Sequence, residues 1–217
     1  MVVAPHCDAA PMGPKDLLLA AIAGEADGVF TLDHARLCKF TDDEIEFRAQ
    51  YVRLRLYAGV FRWPGAPETW KGNLRAAVFA GEPNAVLSHR SAAALYDLPG
   101  GRVDIVELTC PRWRRAQASG LVIHESTFVH PNDVHLIDDL PTMRPERTVF
   151  ELASVCRSAD FIERVLHAAR RKRLITYDST MQTFRRLAGR GMLSYSMRTR
   201  CSVSAASARA TKWPASS

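Results

Sequence analysis

The stretch that most constrains the fold is residues 41–63, TDDEIEFRAQYVRLRLYAGVFRW. Thr41 followed three residues later by Glu44 is a capping box, in which each side chain satisfies the other's backbone N–H. It predicts a helix from Asp42 to about Val52. Ile45, Ala49 and Val52 fall on one face of that helix, the spacing of a core-facing stripe. Leu54–Tyr57 and Val60–Trp63 read as two short strands around Ala58-Gly59. A helix that must hand over at once to a tight hairpin leaves few arrangements. Upstream, Pro14 suits a first helical position, and the apolar spacing from Asp16 to Ala23 is helical. Thr31 is an N-cap for a second helix through Leu32, Ala35, Arg36 and Leu37. Three helices and a hairpin over residues 14–63 match a winged helix-turn-helix in order and length.

Pro64-Gly65-Ala66-Pro67 reads as a linker to a second, mixed α/β domain over residues 66–190. Pro67 is expected to open a helix through Trp70, Leu74, Ala77 and Val78. Ser88 is expected to cap a helix from His89 to Tyr96. Val103–Thr109, Leu121–His124 and Val134–Ile137 read as strands. Pro145 opens a helix, and Ser158 and Thr176 cap two more. The fold class is thus α+β. Residues 1–13 and the basic tail 191–217 have no apolar period and are expected to be disordered. The Ser/Ala/Arg-rich tail looks like the product of a shifted reading frame, beginning near residue 193.

A chain of 217 residues with 47% hydrophobic and 24% charged side chains can bury a core. No apolar run reaches membrane-span length, and Leu17–Ala23 lacks the basic flank of a signal peptide, so a cytoplasmic protein is expected. The five cysteines are widely spaced and form no CxxC, which argues against a disulfide framework or a zinc finger. Cys38 and Cys156 read as buried thiols. The net charge of +6 is mostly the tail's: residues 190–217 carry five bases and no acid. Residues 1–65 carry seven bases and nine acids, a poor balance for binding a polyanion.

Several segments, taken in order, resemble one family. Gly28-Val29-Phe30-Thr31 and Gly59-Val60-Phe61 are similar to the N-terminal winged helix of AbiEi-type antitoxins. The run Ala85–Leu98, with Ser88-His89-Arg90-Ser91-Ala92-Ala93, resembles that family's SHxSAAxLxGL segment. Val106-Glu107-Leu108-Thr109 with Pro111-Arg112, and Asp139-Leu140-Pro141-Thr142 with Pro145–Ala153, resemble its VxVTVPR and G(I/L)PVTxPxRTLxDLA segments. The resemblance covers roughly residues 14–190. It implies a DNA-binding antitoxin of a type IV toxin–antitoxin pair linked to abortive phage infection, repressing its own promoter. It also implies a nucleotidyltransferase-like toxin as partner; no cofactor and no catalysis are expected, on the residues weighed below. Three features depart from the pattern: the acidic first turn at Asp42-Asp43-Glu44, Val52 where a glycine is common, and the lack of a following nuclease-like domain seen in many actinobacterial relatives.

The residues expected to contact phosphate are Arg48, Tyr51, Arg53, Arg55 and Arg62. Asp42 and Asp43 complement the positive end of their helix, each worth about 0.3–1 kcal/mol, so the acids have a folding reason of their own. Arg112-Trp113-Arg114-Arg115 is a second candidate surface, for a partner protein or nucleic acid. Arg170-Arg171-Lys172-Arg173 has a plainer explanation at a helix C-terminus. Asp104 and Glu107 lie on one expected strand, but no E-x-K follows to complete a nuclease centre. His124, His130 and His135 fit no ligand spacing, and His89 reads as structural or interfacial, so no metal site is expected. The competing reading is an interaction module, derived from a nuclease-fused relative, that does not bind DNA.

Overall fold

The computed structural model describes residues 12–52, 55–81, 83–111, 120–126, 128–156 and 158–189; the side chains of residues 49–52 and 189 lie outside that description. The expectations for the two termini, for Arg53, and for Arg112, Trp113, Arg114 and Arg115 therefore fall outside the described residues, as does the Tyr51 side chain. The chain is a mixed α+β protein that divides into two compact units, with the division at Pro83/Asn84.

The first unit runs α1 (Pro14–Glu25), β1 (Val29–Thr31), α2 (Leu32–Leu37), α3 (Asp42–Val52), β2 (Arg55–Tyr57), β3 (Val60–Arg62) and α4 (Trp70–Gly81). Its three strands form an antiparallel sheet in the order β1-β3-β2. The expected hairpin is present as β2–β3, and β1 is an addition to it. Three residues are too few to show alternation in the sequence. The register Phe30↔Phe61 brings two fully buried rings together, with centroids 5.4 Å apart. Leu19, Ala23, Ala35, Cys38, Phe40 and Ile45 complete this core, so the predicted inward face of α3 is correct at Ile45. Each such fully buried large side chain contributes roughly 1.5–3 kcal/mol. Gly28 turns into β1 at φ +80°, and a Cβ there would lie 2.5 Å from that of Ala66.

The caps follow the sequence closely. Thr31 Oγ1 accepts from His34 N–H at 3.2 Å. Thr41 and Glu44 form the reciprocal pair: Thr41 N–H donates to Glu44 Oε2 at 2.8 Å, and Glu44 N–H donates to Thr41 Oγ1 at 3.2 Å.

Two expectations change at α4. The helix starts at Trp70 rather than Pro67, because Thr69 Oγ1 accepts from Gly72 N–H at 3.0 Å and sets the start. The helix also belongs to the first unit, so the units do not part at residues 64–67. Arg75 Nε donates to Asp27 Oδ2 at 2.7 Å, and Asn73 Oδ1 accepts from Arg62 at 2.7 Å.

The second unit runs β4 (Val86–Leu87), α5 (His89–Leu95), β5 (Val106–Cys110), β6 (Leu121–Glu125), a 3-10 turn (Pro131–Asp133), β7 (Val134–Ile137), β8 (Leu140–Met143), α6 (Pro145–Val155), α7 (Ala159–Arg171) and α8 (Tyr177–Gly189). Five strands stand in the order β6-β5-β4-β8-β7, where the sequence suggested two or three. The β5–β6 and β4–β8 pairs are parallel, and the other two are antiparallel. β4 is too short for a periodic signal, and β8 overlaps the turn-like Asp139–Thr142 run. β5 begins at Val106 and not Val103, which is 63% exposed. Val86, Ala92, Ala93, Met143, Val149, Leu152, Val165 and Ala169 form the core under α5, α6 and α7. Ser158 caps α7, and Thr176 Oγ1 accepts from Ser179 N–H at the start of α8, as expected. No helix among the described residues is long and apolar enough to cross a membrane.

Candidate nucleic-acid face and a buried polar node

The first candidate site is the surface of α3 and the β2–β3 hairpin. α3 carries Arg48, and the hairpin carries Arg55 and Arg62. Each of these cations has an intramolecular partner. Arg48 Nη1 donates to Asp16 Oδ1 of α1 at 2.7 Å, and its guanidinium lies over the Phe40 ring at 4.8 Å. Arg55 pairs with Glu46 of α3 and lies 5.9 Å from the Phe61 ring. Arg62 is 15% exposed and is held by Asn73 at 2.7 Å and Glu68 at 3.5 Å. Arg48 and Arg55 remain 43% and 47% exposed, so their outer edges face solvent.

Asp42, Glu44 and Glu46 of this surface are also taken. Asp42 accepts from Arg36 Nε and Nη2 at 2.9 and 2.6 Å, a two-pronged pair. Glu44 accepts from Lys15 Nζ at 2.7 Å. That hydrogen bond, with the Thr41 N–H second, holds the Glu44 carboxyl down at about 2. Asp42 and Glu44 in the first turn of α3 are therefore ion-paired to α2 and α1 as well as marking a helix start. Exposed pairs of this kind contribute about 0–1 kcal/mol each. They do not remove the positive edges of Arg48 and Arg55, but they lower the field a phosphate would meet.

The second candidate lies wholly within the second unit and is buried. His89 opens α5 at φ +48°, in the left-handed region. Its backbone N–H donates to Glu151 Oε2 of α6 at 3.2 Å. The next N–H, of Arg90, donates to Glu107 Oε2 of β5 at 3.2 Å. Two carboxylates from other elements thus cap α5. Ser88 occupies the N-cap position, as expected, but its side chain does not cap. Its hydroxyl instead accepts from Thr109 Oγ1 at 2.9 Å and stands 3.0 Å from His89 Nδ1. The physical reason is charge: a carboxylate binds an N–H roughly twice as strongly as a neutral hydroxyl does.

Glu107 is 0% exposed, an unusual place for a carboxylate. Arg90 Nη1 donates to its Oε1 at 2.7 Å, and Ser91 Oγ accepts from its backbone N–H at 2.7 Å. His124 of β6 reaches the same carboxylate, with Nε2 3.6 Å from Oε2. The parallel β5–β6 register, which sets Thr109 beside His124, makes this approach possible. His124 also stacks on His89, ring centroids 3.5 Å apart and 14° from parallel. Burial pushes the Glu107 carboxyl up; His124 and Arg90 outweigh it and hold it at about 2. Burial pushes His89 down, the neighbouring His124 adds to this, and His89 stands at about 3. Burial raises the Glu151 carboxyl, against Arg147 Nε at 3.0 Å and the His89 N–H. At neutral pH the node presents an uncharged His89 ring beside a charged Glu107.

The structure does not gather the acidic pair considered for nuclease chemistry. Asp104 precedes β5, is exposed, and pairs with Arg102, while Glu107 is buried. Of the three histidines considered for metal, His130 accepts from Asn132 N–H at 3.1 Å and His135 meets Tyr96 Oη at 2.5 Å, away from one another's partners. Only His124 joins a cluster, and it does so with His89 and Glu107. No ligand spacing reveals this trio, because β-sheet pairing rather than sequence proximity assembles it. Cys38 and Cys110 are buried free thiols and Cys156 is partly buried, so the expectation of full burial at Cys156 is corrected.

No family model matches this chain, and no curated protein does. The likeness to AbiEi-type antitoxins therefore rests on the sequence segments quoted above.

Proposed function

We propose that the protein is a DNA-binding regulator that represses its own promoter, of the kind found as AbiEi-family antitoxins. The observation that carries this is the order α1-β1-α2-α3-β2-β3 with sheet order β1-β3-β2. This order supports the reading of a winged helix-turn-helix, in which the recognition helix enters the major groove and the hairpin lies against the backbone. α3 is then the recognition helix, and Arg48 and Arg55 are its half-exposed phosphate contacts. Arg62, tied to α4, supports the hairpin instead. The second unit is the proposed surface for a nucleotidyltransferase-like toxin. No catalytic step is assigned.

One specific observation favours the competing interaction module. Arg48, Arg55 and Arg62 all have partners within the chain. If those pairs are permanent, the face is closed to DNA.

Fluorescence anisotropy separates the two. Labelled duplex from immediately upstream of the coding sequence is titrated with protein over a range of salt. The DNA reading predicts salt-dependent binding, weakened by Arg48→Ala and by Arg55→Ala, each flattening the logarithmic salt slope by about 1. Absence of binding at low salt, with the protein folded, supports the interaction module.

A further inference from the structure

We propose that two copies of this chain pair through the outer face of α1, helix against helix and antiparallel. From Leu17 to Gly24 the helix reads LLLAAIAG, a run without one polar side chain. A helix apolar all round is ordinarily buried all round. Only one side of α1 is covered: Leu19 and Ala23 are buried in the core of the first unit, with Ile22 packed beside them. On the other side Leu17 is 60% exposed and Leu18 53%, and Pro14, Ala21 and Gly24 are exposed as well. Pro14, Leu17, Ala21 and Gly24 recur at alternating short and long helical steps, the a/d seam of a helix that packs on another helix.

Charge and shape together point to a second α1 as the occupant. Lys15 and Glu25 stand at opposite ends of the helix, equally far from Ala20. In an antiparallel pair crossing at Ala20, each Lys15 lies level with the partner's Glu25. A parallel pair would set lysine against lysine and glutamate against glutamate, so charge selects the antiparallel one. Glu25 is exposed and forms no ion pair among the described residues. Lys15 donates to Glu44 at 2.7 Å, and an ammonium has further donors to give. The same crossing lays the Leu17 and Leu18 ridge of one copy against Ala21 and Gly24 of the other, where small residues leave a hollow. Glycine is a poor helix former, and a Cβ on Gly24 would meet nothing within 4 Å, so no contact inside the chain requires a glycine there.

One helix face is smaller than the roughly 800 Å² per partner of a standard interface, so the expected dimer is a weak one. Every residue in it belongs to the first unit, and no DNA is needed to form it. The proposal therefore stands apart from the DNA-binding reading.

The test is sedimentation equilibrium of the full chain, without DNA, at concentrations from about 1 μM to 1 mM. A reversible monomer–dimer equilibrium is expected. Leu17→Glu, at an already exposed position, should raise the dimer's Kd by about tenfold or more with an unchanged circular dichroism spectrum. Glu25→Lys places a base in the last turn of a helix, where the fold tolerates it. It should also weaken the dimer, more at low salt than at high. A chain that stays monomeric throughout, its α1 face left to a different protein or to another segment of the chain, overturns the proposal. So does a dimer that neither substitution weakens, which would pair through another surface. A dimer strengthened by Glu25→Lys would overturn the antiparallel arrangement.

Discussion

The two units hold most of their charge differently, although the first also buries Arg75 against Asp27 and the second also pairs Arg102 with Asp104 at the surface. In the first, charged side chains meet at the surface in pairs: Lys15 with Glu44, Arg36 with Asp42, Arg48 with Asp16, Arg55 with Glu46. In the second, they are drawn inside. Glu107, Glu151 and Arg147 are all 6% exposed or less and sit among hydrogen-bond partners from several elements. Surface pairs are cheap to break and can exchange one partner for another, including a phosphate. Buried carboxylates are fixed, because removing a partner leaves a charge in a poor solvent. On the proposed DNA-binding reading, the adaptable pairs belong to the first unit and the fixed charges to the second.

The largest expected effect comes from breaking the buried node. Glu107→Ala removes the cap on the Arg90 N–H and the partner of its guanidinium, and should destabilise the second unit by roughly 3–5 kcal/mol in urea denaturation. Asp16→Ala, the corresponding cut in the first unit, should cost under about 1 kcal/mol. Equal losses would erase the distinction between the units.

Acid sharpens it next. His89 stands near 3 when folded, against a usual 6.5, so the unfolded chain takes the proton first. Its contribution is present above about pH 6.5 and is lost as pH falls toward 3. Glu107, at about 2 when folded, adds a further loss below about pH 4.5. Glu151, raised by burial, opposes these above its usual value. The net expectation is a loss of stability in the second unit as pH falls from about 6.5 toward 3. Stability that rises on acidification over that window would contradict the arrangement.

A smaller effect tests the start of α3. Thr41→Ala should cost about 1 kcal/mol, the usual value of an N-cap. Thermal unfolding should register it in the first unit alone.

How much of this was legible in the sequence follows from how local each feature is. The Thr41–Glu44 box, the Thr31 and Ser158 caps and Pro145 at the start of α6 were readable, since each is set by residues within one turn. β1, β4 and β8 were not: strands of two to four residues carry little period, and the equally short β2 and β3 were readable from the Ala58-Gly59 turn between them. α4 was readable as a helix but not as part of the first unit, which depends on tertiary bonds such as Arg75 to Asp27. The candidate sites divide the same way. Arg48 and Arg55 could be chosen from helix and hairpin position, yet their acid partners lie across the fold; Asp16 and Arg48 are 32 positions apart. The trio His89, Glu107 and His124 was invisible as a group. A glutamate in an apolar strand, between Val106 and Leu108, was the one local hint that a carboxylate is buried there.

The central claim is that α3 and the hairpin meet DNA through cations now shared with acids. The most direct measurement is the salt dependence of binding to the upstream duplex for wild type, Arg48→Ala and Asp16→Asn. The account predicts opposite shifts. Arg48→Ala should weaken binding and reduce the slope by about 1. Asp16→Asn, which frees Arg48 from its partner, should tighten binding at the same salt. Affinity unchanged by either substitution, or moved the same way by both, would contradict it.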